Sequence, residues 1–274
     1  MFEYSYQIFR IILQWSFETA MLNGYDGVVQ LLFKINANLN VNGKITHQGL
    51  TPTMLAAMKN QTNVLKVLIQ NGSDINAKAD YLSTTALHEA AYKGHLQMVK
   101  VLLENGAIID QQDEVDYTPL IVATENDQPE VTTYLLEKGA NINSQNIHGT
   151  SPLIGAIKVK NLNIVRLLIE RGANINGKDM HGQTLLMHAV GNAWLEGAEI
   201  LIENGARIDE ATNDSWTPFF QSIRDGHIEI TLLLIENGAS MIVRNNVRHT
   251  PLESAINAKG IEVMKTIFLF EHFK

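Results

Sequence analysis

A Thr or Ser stands just ahead of an apolar helical run at Thr51, Thr85, Thr118, Ser151, Thr184, Thr217 and Thr250, spaced by 34 residues once and then by 33 residues five times. This fixed period constrains the chain more than any other feature. It calls for one supersecondary unit used repeatedly and stacked on its neighbours. The stretch GANINSQNIHGTSPLIGA, 139–156, shows how one copy hands over to the next. Gly139 follows Val131, Tyr134, Leu135 and Leu136 at helical spacing and sits where a helix ends on a left-handed residue. Asn141 to Asn143 do not readily extend that helix, and His148-Gly149 supplies a turn. Ser151-Pro152 then offers a capping oxygen and a proline at the first helical position, so a new helix starts there.

Other places of the unit repeat in phase. Counting the Thr/Ser as first, the third place holds Leu87, Leu120, Leu153, Leu186, Phe219 and Leu252. The sixth holds Ala56, Ala90, Ala123, Ala156, Ala189, Ser222 and Ala255, small enough for one helix to lie close to the next. The twenty-second is Gly72, Gly106, Gly139, Gly172, Gly205 or Gly238, each a helix terminator. The segments TALHEAAYKGHLQMVKVLLENGA, 85–107, and TPLIVATENDQPEVTTYLLEKGANIN, 118–143, are similar to the ankyrin repeat, a turn followed by two antiparallel helices with a T-P-L-H-x-A signature. The resemblance runs from roughly residue 15 to the end of the chain. It implies an all-α solenoid of about eight helix-turn-helix units with short turns or hairpins between them. The expected division is one domain, 1–274: a capping helix and first repeat over 1–50, repeats over 51–84, 85–117, 118–150, 151–183, 184–216 and 217–249, and a C-terminal or truncated repeat over 250–274. The first repeat lacks the signature, but Asn23 to Asn40 align without a gap on Lys93 to Asp110.

Composition agrees with a folded protein that grows by stacking. At 274 residues the chain exceeds an ordinary single core, yet a solenoid needs no single centre. The absence of cysteine excludes disulfides, thiolate zinc sites and a cysteine nucleophile. A formal charge of −8 argues against nucleic acid and anionic membranes as partners. Arg244, Arg248 and His249 form the one obvious basic cluster and read as a solvated loop. The start of the chain, MFEYSYQIFRIILQW, carries Glu3 and Arg10 and no small-residue cleavage site, which argues against a signal peptide. No apolar run approaches the roughly 20 residues of a membrane span. The expectation is a soluble cytoplasmic protein, without membrane insertion.

Catalytic motifs fail on spacing. HEAAYKGH, 88–95, begins like H-E-x-x-H, but Tyr92 occupies the place of the second histidine. In the ankyrin resemblance His88 ties the turn to the helix start, a structural role. His181 and His188 lie on a turn and a helix and form no evident pair. There is no phosphate loop, no G-x-S-x-G turn and no kinase signature. The sequence is therefore read as a non-enzyme with no cofactor and no metal.

Surface remains as the functional element. The third, sixth, seventh and tenth places are expected to form the buried stripe of each first helix, with the fifth and eighth on its open face. In ankyrin proteins that face and the turn tips line a concave groove for a protein or peptide partner. At such places stand Tyr81, Tyr92, Tyr117, Glu125, His148, Lys158, His181, Trp216 and Arg224, the candidate partner-binding residues. Tyr and Trp are enriched at interface hot spots. Tip places also include Thr150 and Val247, and eighth places Gly191 and Asn257. Asp116, Ser215 and Arg248 stand where other turns have Gly149 and Gly182, so either strain of about 1 kcal/mol or a turn of another shape is expected there, with Asp better tolerated than Arg. Asn40 to Leu50 is longer than its equivalents and contains Asn42-Gly43, a favoured hairpin pair. Loop variation is the first reading of it, a protruding finger the second.

At the C-terminal end the helix over Val263 to Lys274 carries Ile267, Phe268, Leu269, Phe270 and Phe273 without a Gly stop. Either this surface self-associates or meets another chain, or the chain stops before its natural cap; the second reading is slightly preferred. The abundance of Asn and Ile resembles proteins of AT-rich genomes, including intracellular bacteria that export ankyrin proteins into host cells. An effector in the host cytoplasm is one role this implies. The alternative function is a targeting or regulatory arm of an enzyme whose catalytic domain is absent from this chain.

Overall fold

The computed structural model describes residues 2–35, 38–246, 248–254 and 258–272, and the chain forms two compact units, Met1–Asn141 and Ile142–Lys274. In the first unit lie α1 (Phe2–Asn23), α2 (Asp26–Lys34), α3 (Pro52–Met58), α4 (Thr62–Gln70), α5 (Ala86–Lys93), α6 (Leu96–Glu104), α7 (Pro119–Glu125) and α8 (Pro129–Glu137). In the second lie α9 (Pro152–Lys158), α10 (Leu162–Glu170), α11 (Leu185–Gly191), α12 (Leu195–Glu203), α13 (Pro218–Asp225), α14 (Ile228–Glu236), α15 (Pro251–Ser254) and α16 (Ala258–His272). Among the described residues there is no strand, only an isolated bridge between Lys178 and Thr184.

Helices pair in sequence order, and the first helix of each pair packs on the first helix of the next: α3 on α5 on α7 in one unit, α9 on α11 on α13 in the other. The repeated Thr/Ser positions begin the helices as expected. Thr51, Thr118, Ser151, Thr184 and Thr217 are extended and accept from the backbone N–H three residues on. Such a cap matters because a helix of 7 residues is far below the length that holds alone in water. The second helices stop at Gly72, Gly106, Gly139, Gly172, Gly205 and Gly238, with φ from 80° to 92°. Alanine at the sixth place is fully buried, which lets successive first helices approach.

The buried stripe differs from expectation. The fourth place, Met54, His88, Ile121, Ile154, Met187 or Phe220, is almost fully buried. The tenth, expected inside, holds left-handed residues that turn the chain into the second helix: Asn60, Asp127, Lys160 and Ala193 have φ from 49° to 56°, and Gly94 and Gly226 share the region. An amphipathic count assumes one wet face, whereas α5 lies between α3 and α7 with α6 behind it, and α11 between α9 and α13 with α12 behind it. For the same reason Leu55, Gly155 and Gln221, at the fifth place, are buried rather than open.

The loops use side chains where a hairpin would use strands. Asn42 Nδ2 donates to Gly72 O at 3.1 Å and its Oδ1 accepts from Asp74 N at 2.7 Å, so Asn42-Gly43 ties to the following repeat and makes no hairpin finger. Asn76 repeats this with Gly106 and Ile108, and Asn176 with Gly205 and Arg207. At the tips, Asp113, Asn146 and Asp179 each accept two backbone N–H groups through one side-chain oxygen. Ala79 has no such oxygen, and its turn holds two consecutive left-handed residues, Leu82 at φ 62° and Ser83 at φ 54°. Asp116, Ser215 and Arg248 take φ of 63°, 61° and 63°, the conformation that glycine takes at Gly149 and Gly182. Val247, Ala255, Asn257 and Phe273, with the side chains of Leu252, Leu269 and Phe270, lie outside the described residues. Of the remaining C-terminal pair, Ile267 is buried and Phe268 is exposed.

Candidate functional site

In the first unit the candidate side chains sit at a tip and at helix ends. Tyr81 stands exposed at its tip, its backbone N–H donating to Gln48 O at 3.1 Å. Tyr92 is exposed on the last turn of α5, with Lys93 Nζ 5.0 Å from its ring centre. Tyr117 and Glu125 are half-buried. The Tyr117 carbonyl receives Nε2 of His88 at 2.9 Å, and Thr85 N–H meets the other ring nitrogen at 3.2 Å. His88 therefore links one helix start to the next turn. Burial pushes its pKa below 6.5, and the Tyr117 carbonyl and Asp113 draw it partly back. His95 Nε2 lies 3.2 Å from Met58 O, so the two histidines serve separate repeat junctions.

In the second unit the residues converge more closely. Trp216 meets Phe220 edge to face at 5.4 Å, and the Arg224 guanidinium lies 5.1 Å from the Trp216 ring centre. Asp225 holds that guanidinium at 2.7 Å from Nε and 3.2 Å from Nη2, fixing its plane. His181, Gln183, Trp216, Gln221 and Arg224 line a cleft of about 290 Å³. Three candidate residues, His181, Trp216 and Arg224, are thus brought together. His148 is exposed at its tip and its carbonyl accepts from Met180 N at 3.0 Å. Lys158, also exposed, donates to Thr150 Oγ1 at 3.3 Å. Thr150, counted among the tip places, is buried.

Two contributors are not among the residues expected from the sequence: Phe220, and His188, which the sequence reads as an unpaired histidine. Phe220 supports the Trp216 ring from the buried fourth place. His188 Nε2 lies 3.2 Å from Asp179 Oδ2. Burial lowers its pKa most, Asp179 raises it and Lys158 lowers it further. Asp179 also holds the tip that presents His181, so the two histidines share a support. The signal was a carboxylate five residues before a first-place Thr with His at the fifth place.

The arrangement is suited to recognition: aromatic faces, one of them under a fixed cation, beside amide and imidazole groups that donate and accept. Arg244, in the basic loop, spends one nitrogen on Arg248 O at 2.6 Å and sits 3.9 Å from Glu253. Among the described residues no cluster of three or more His, Asp or Glu could hold a metal ion, and no helix is long and apolar enough to cross a membrane.

A family model described as ankyrin repeats, in three copies, matches residues 17–113, 78–146, 120–212 and 186–272. No curated protein matches the sequence. Among solved structures, the crystal structure of the ankyrin repeat domain of Bcl-3, described as a unique member of the IkappaB protein family, superposes with a TM-score of 0.69 at 24% identity, covering 80% of this chain and 100% of that one.

Proposed function

Because the chain belongs to the ankyrin-repeat family, an all-helical fold whose repeats are protein–protein interaction modules, we propose that it binds a protein or peptide partner through its turn tips and first-helix ends. The observation that carries this reading is the Trp216–Arg224 pair. A large aromatic ring stands half-exposed at a tip with a cation stacked on it and fixed by Asp225, in a cleft that also holds His181. Folding does not require an aromatic there, since the equivalent places hold Thr150 and Gln183. Tyr81 and Tyr92 give the first unit exposed anchors of the same kind. The partner is a protein segment with hydrogen-bonding groups and a flat or apolar side chain to lay on the rings. The repeat boundaries set out from the sequence are part of this proposal, as are the absence of catalysis and a cytoplasmic setting.

The test is affinity capture with the intact chain, identification of what binds, and titration of that purified protein. Trp216→Ala should weaken it by about 2 kcal/mol, close to thirtyfold in Kd. Lys66→Ala, exposed on the second helix α4, should leave affinity unchanged. Equal affinity for the Trp216 variant and the parent would dismiss the reading.

A further inference from the structure

The largest exposed apolar surface among the described residues lies at the start of the chain, on α1 and α2. The alignment of Asn23–Asn40 on Lys93–Asp110 puts Val28 and Leu31 at the places of Met98 and Val101. Met98 and Val101 are 0% and 4% exposed, whereas Val28 and Leu31 are 42% and 57% exposed. The cause is geometric: α6 has α4 packed against it from the preceding repeat, and α2 has no described helix in that position. Trp15, at the place of the buried cap Thr85, is 68% exposed. Between α1 and α2 runs a trough of about 370 Å³ lined by Ile12, Trp15, Ala20, Tyr25 and Val28, with buried Ala20 as its floor. It is a repeat's stacking face, left open.

We propose that this face is closed by a second copy of the chain, which packs its own α1–α2 face against it in a two-fold dimer. Area is the first argument. Trp15 and Tyr25, of a kind that bury roughly 150–250 Å² each, together with Ile12, Val28, Leu31 and Ile35 expose several hundred Å², on the order of the 800 Å² per partner of a standard stable interface. The second argument is the match. Tyr4, Ile8, Phe9 and Ile11 extend the exposed apolar surface along α1; beyond α1 and α2 the exposed large apolar side chains are scattered and the described C-terminal helix offers only Ile261 and Phe268, so among the described residues the surface of comparable apolar area is the same face on another copy. A two-fold pairing uses one patch twice and closes. Charge is the third: the trough is lined by no Asp, Glu, Lys or Arg, so pairing trough to trough sets no like charges directly against each other. A lipid surface fits less well, because α1 carries Arg10 as its sole cation against Glu3 and Glu18, where interfacial helices are rich in Lys and Arg.

Sedimentation equilibrium of the full chain, from about 1 to 100 μM at physiological salt, reads the proposal directly. Expected is a mass near twice 30.5 kDa, with Leu31→Lys plus Trp15→Gln raising the dimer Kd at least about 100-fold and leaving the far-UV spectrum unchanged. Both residues are exposed, so the interior does not depend on them. Should the double variant misfold, the mass of the parent and of Leu31→Gln alone still decides. A parent that is monomeric throughout, a dimer indifferent to these substitutions, or a monomer that co-sediments with phosphatidylcholine or phosphatidylserine vesicles overturns the proposal.

Discussion

His88 offers a perturbation whose size and pH dependence both follow from the geometry. Its ring is 2% exposed, with Nε2 2.9 Å from Tyr117 O and Nδ1 3.2 Å from Thr85 N. A carbonyl only accepts and an amide N–H only donates, so the proton must sit on Nε2 and Nδ1 must carry the lone pair. Protonation would place a second N–H against that of Thr85, in a site that already disfavours charge by burial. His88→Ala removes the contact of Nε2 with Tyr117 O and those of Nδ1 with Thr85 N–H and Thr85 Oγ1, at about 1 kcal/mol for each ring nitrogen, and leaves part of a ring-sized void, for a total of about 2–4 kcal/mol at neutral pH.

The pH dependence has a definite sign. The folded pKa lies below 6.5 and the unfolded chain titrates near 6.5, so the contribution of His88 is complete above that value. As pH falls below 6.5 the unfolded state takes the proton first, and stability drops by up to about 1.4 kcal/mol per pH unit until the folded state also protonates. The gap between parent and His88→Ala should therefore be widest at pH 7.5 and narrow from 6.5 toward 5. Urea unfolding followed by far-UV circular dichroism, with amide exchange of α5 as the local probe, measures it. His188, whose pKa is also lowered, is in the second unit, and His188→Ala separates its share. A gap that stays constant or widens on acidification would refute the tautomer and the burial argument together.

Phe220→Ala, at a fully buried fourth place, should cost about 3–5 kcal/mol in urea unfolding and also loosen the Trp216 ring, seen as a change in tryptophan fluorescence. Asn76→Ala should cost about 1–2 kcal/mol, because both ends of its amide bridge to the next repeat; an unchanged midpoint would mean water replaces the bridge without loss. Arg248→Gly should raise stability by about 0.5–1 kcal/mol, since φ of 63° suits glycine, with a lowered melting temperature as the contrary result. Tyr92→Ala with Tyr117→Ala should weaken partner binding by about 2 kcal/mol or more and shift the urea midpoint much less than loss of one buried aromatic. Unfolding of this double variant would assign the pair to packing, to which half-buried Tyr117 is the more exposed in argument.

The candidate site was legible only in part. Tip and eighth-place residues could be named because phase assigns every copy the same position, and Tyr81, Tyr92, Lys158, His181 and Arg224 are exposed as that assignment requires. That Trp216, Arg224 and His181 share one cleft was not legible, because His181 lies 35 residues before Trp216 and only stacking of α11 on α13 closes the distance. The Asp179–His188 contact likewise joins a turn to a helix face, and the place counts that locate the two residues do not by themselves say that they touch.

By itself the sequence determined the period, the helix starts and the helix stops. Each rests on local chemistry: a hydroxyl that caps, a proline without an N–H, a glycine free at positive φ. Such signals act within a few residues and survive without knowledge of the rest of the chain. Tertiary structure decided which faces are dry. The fourth place is buried because helices flank it, Asn42 spans to Gly72 because the next repeat lies within reach, and Val28 and Leu31 stay wet where Met98 and Val101 do not because no described helix packs on α2 as α4 packs on α6 from the preceding repeat. Burial belongs to the arrangement of neighbours, and an identical place in the repeat is core or surface according to what packs against it.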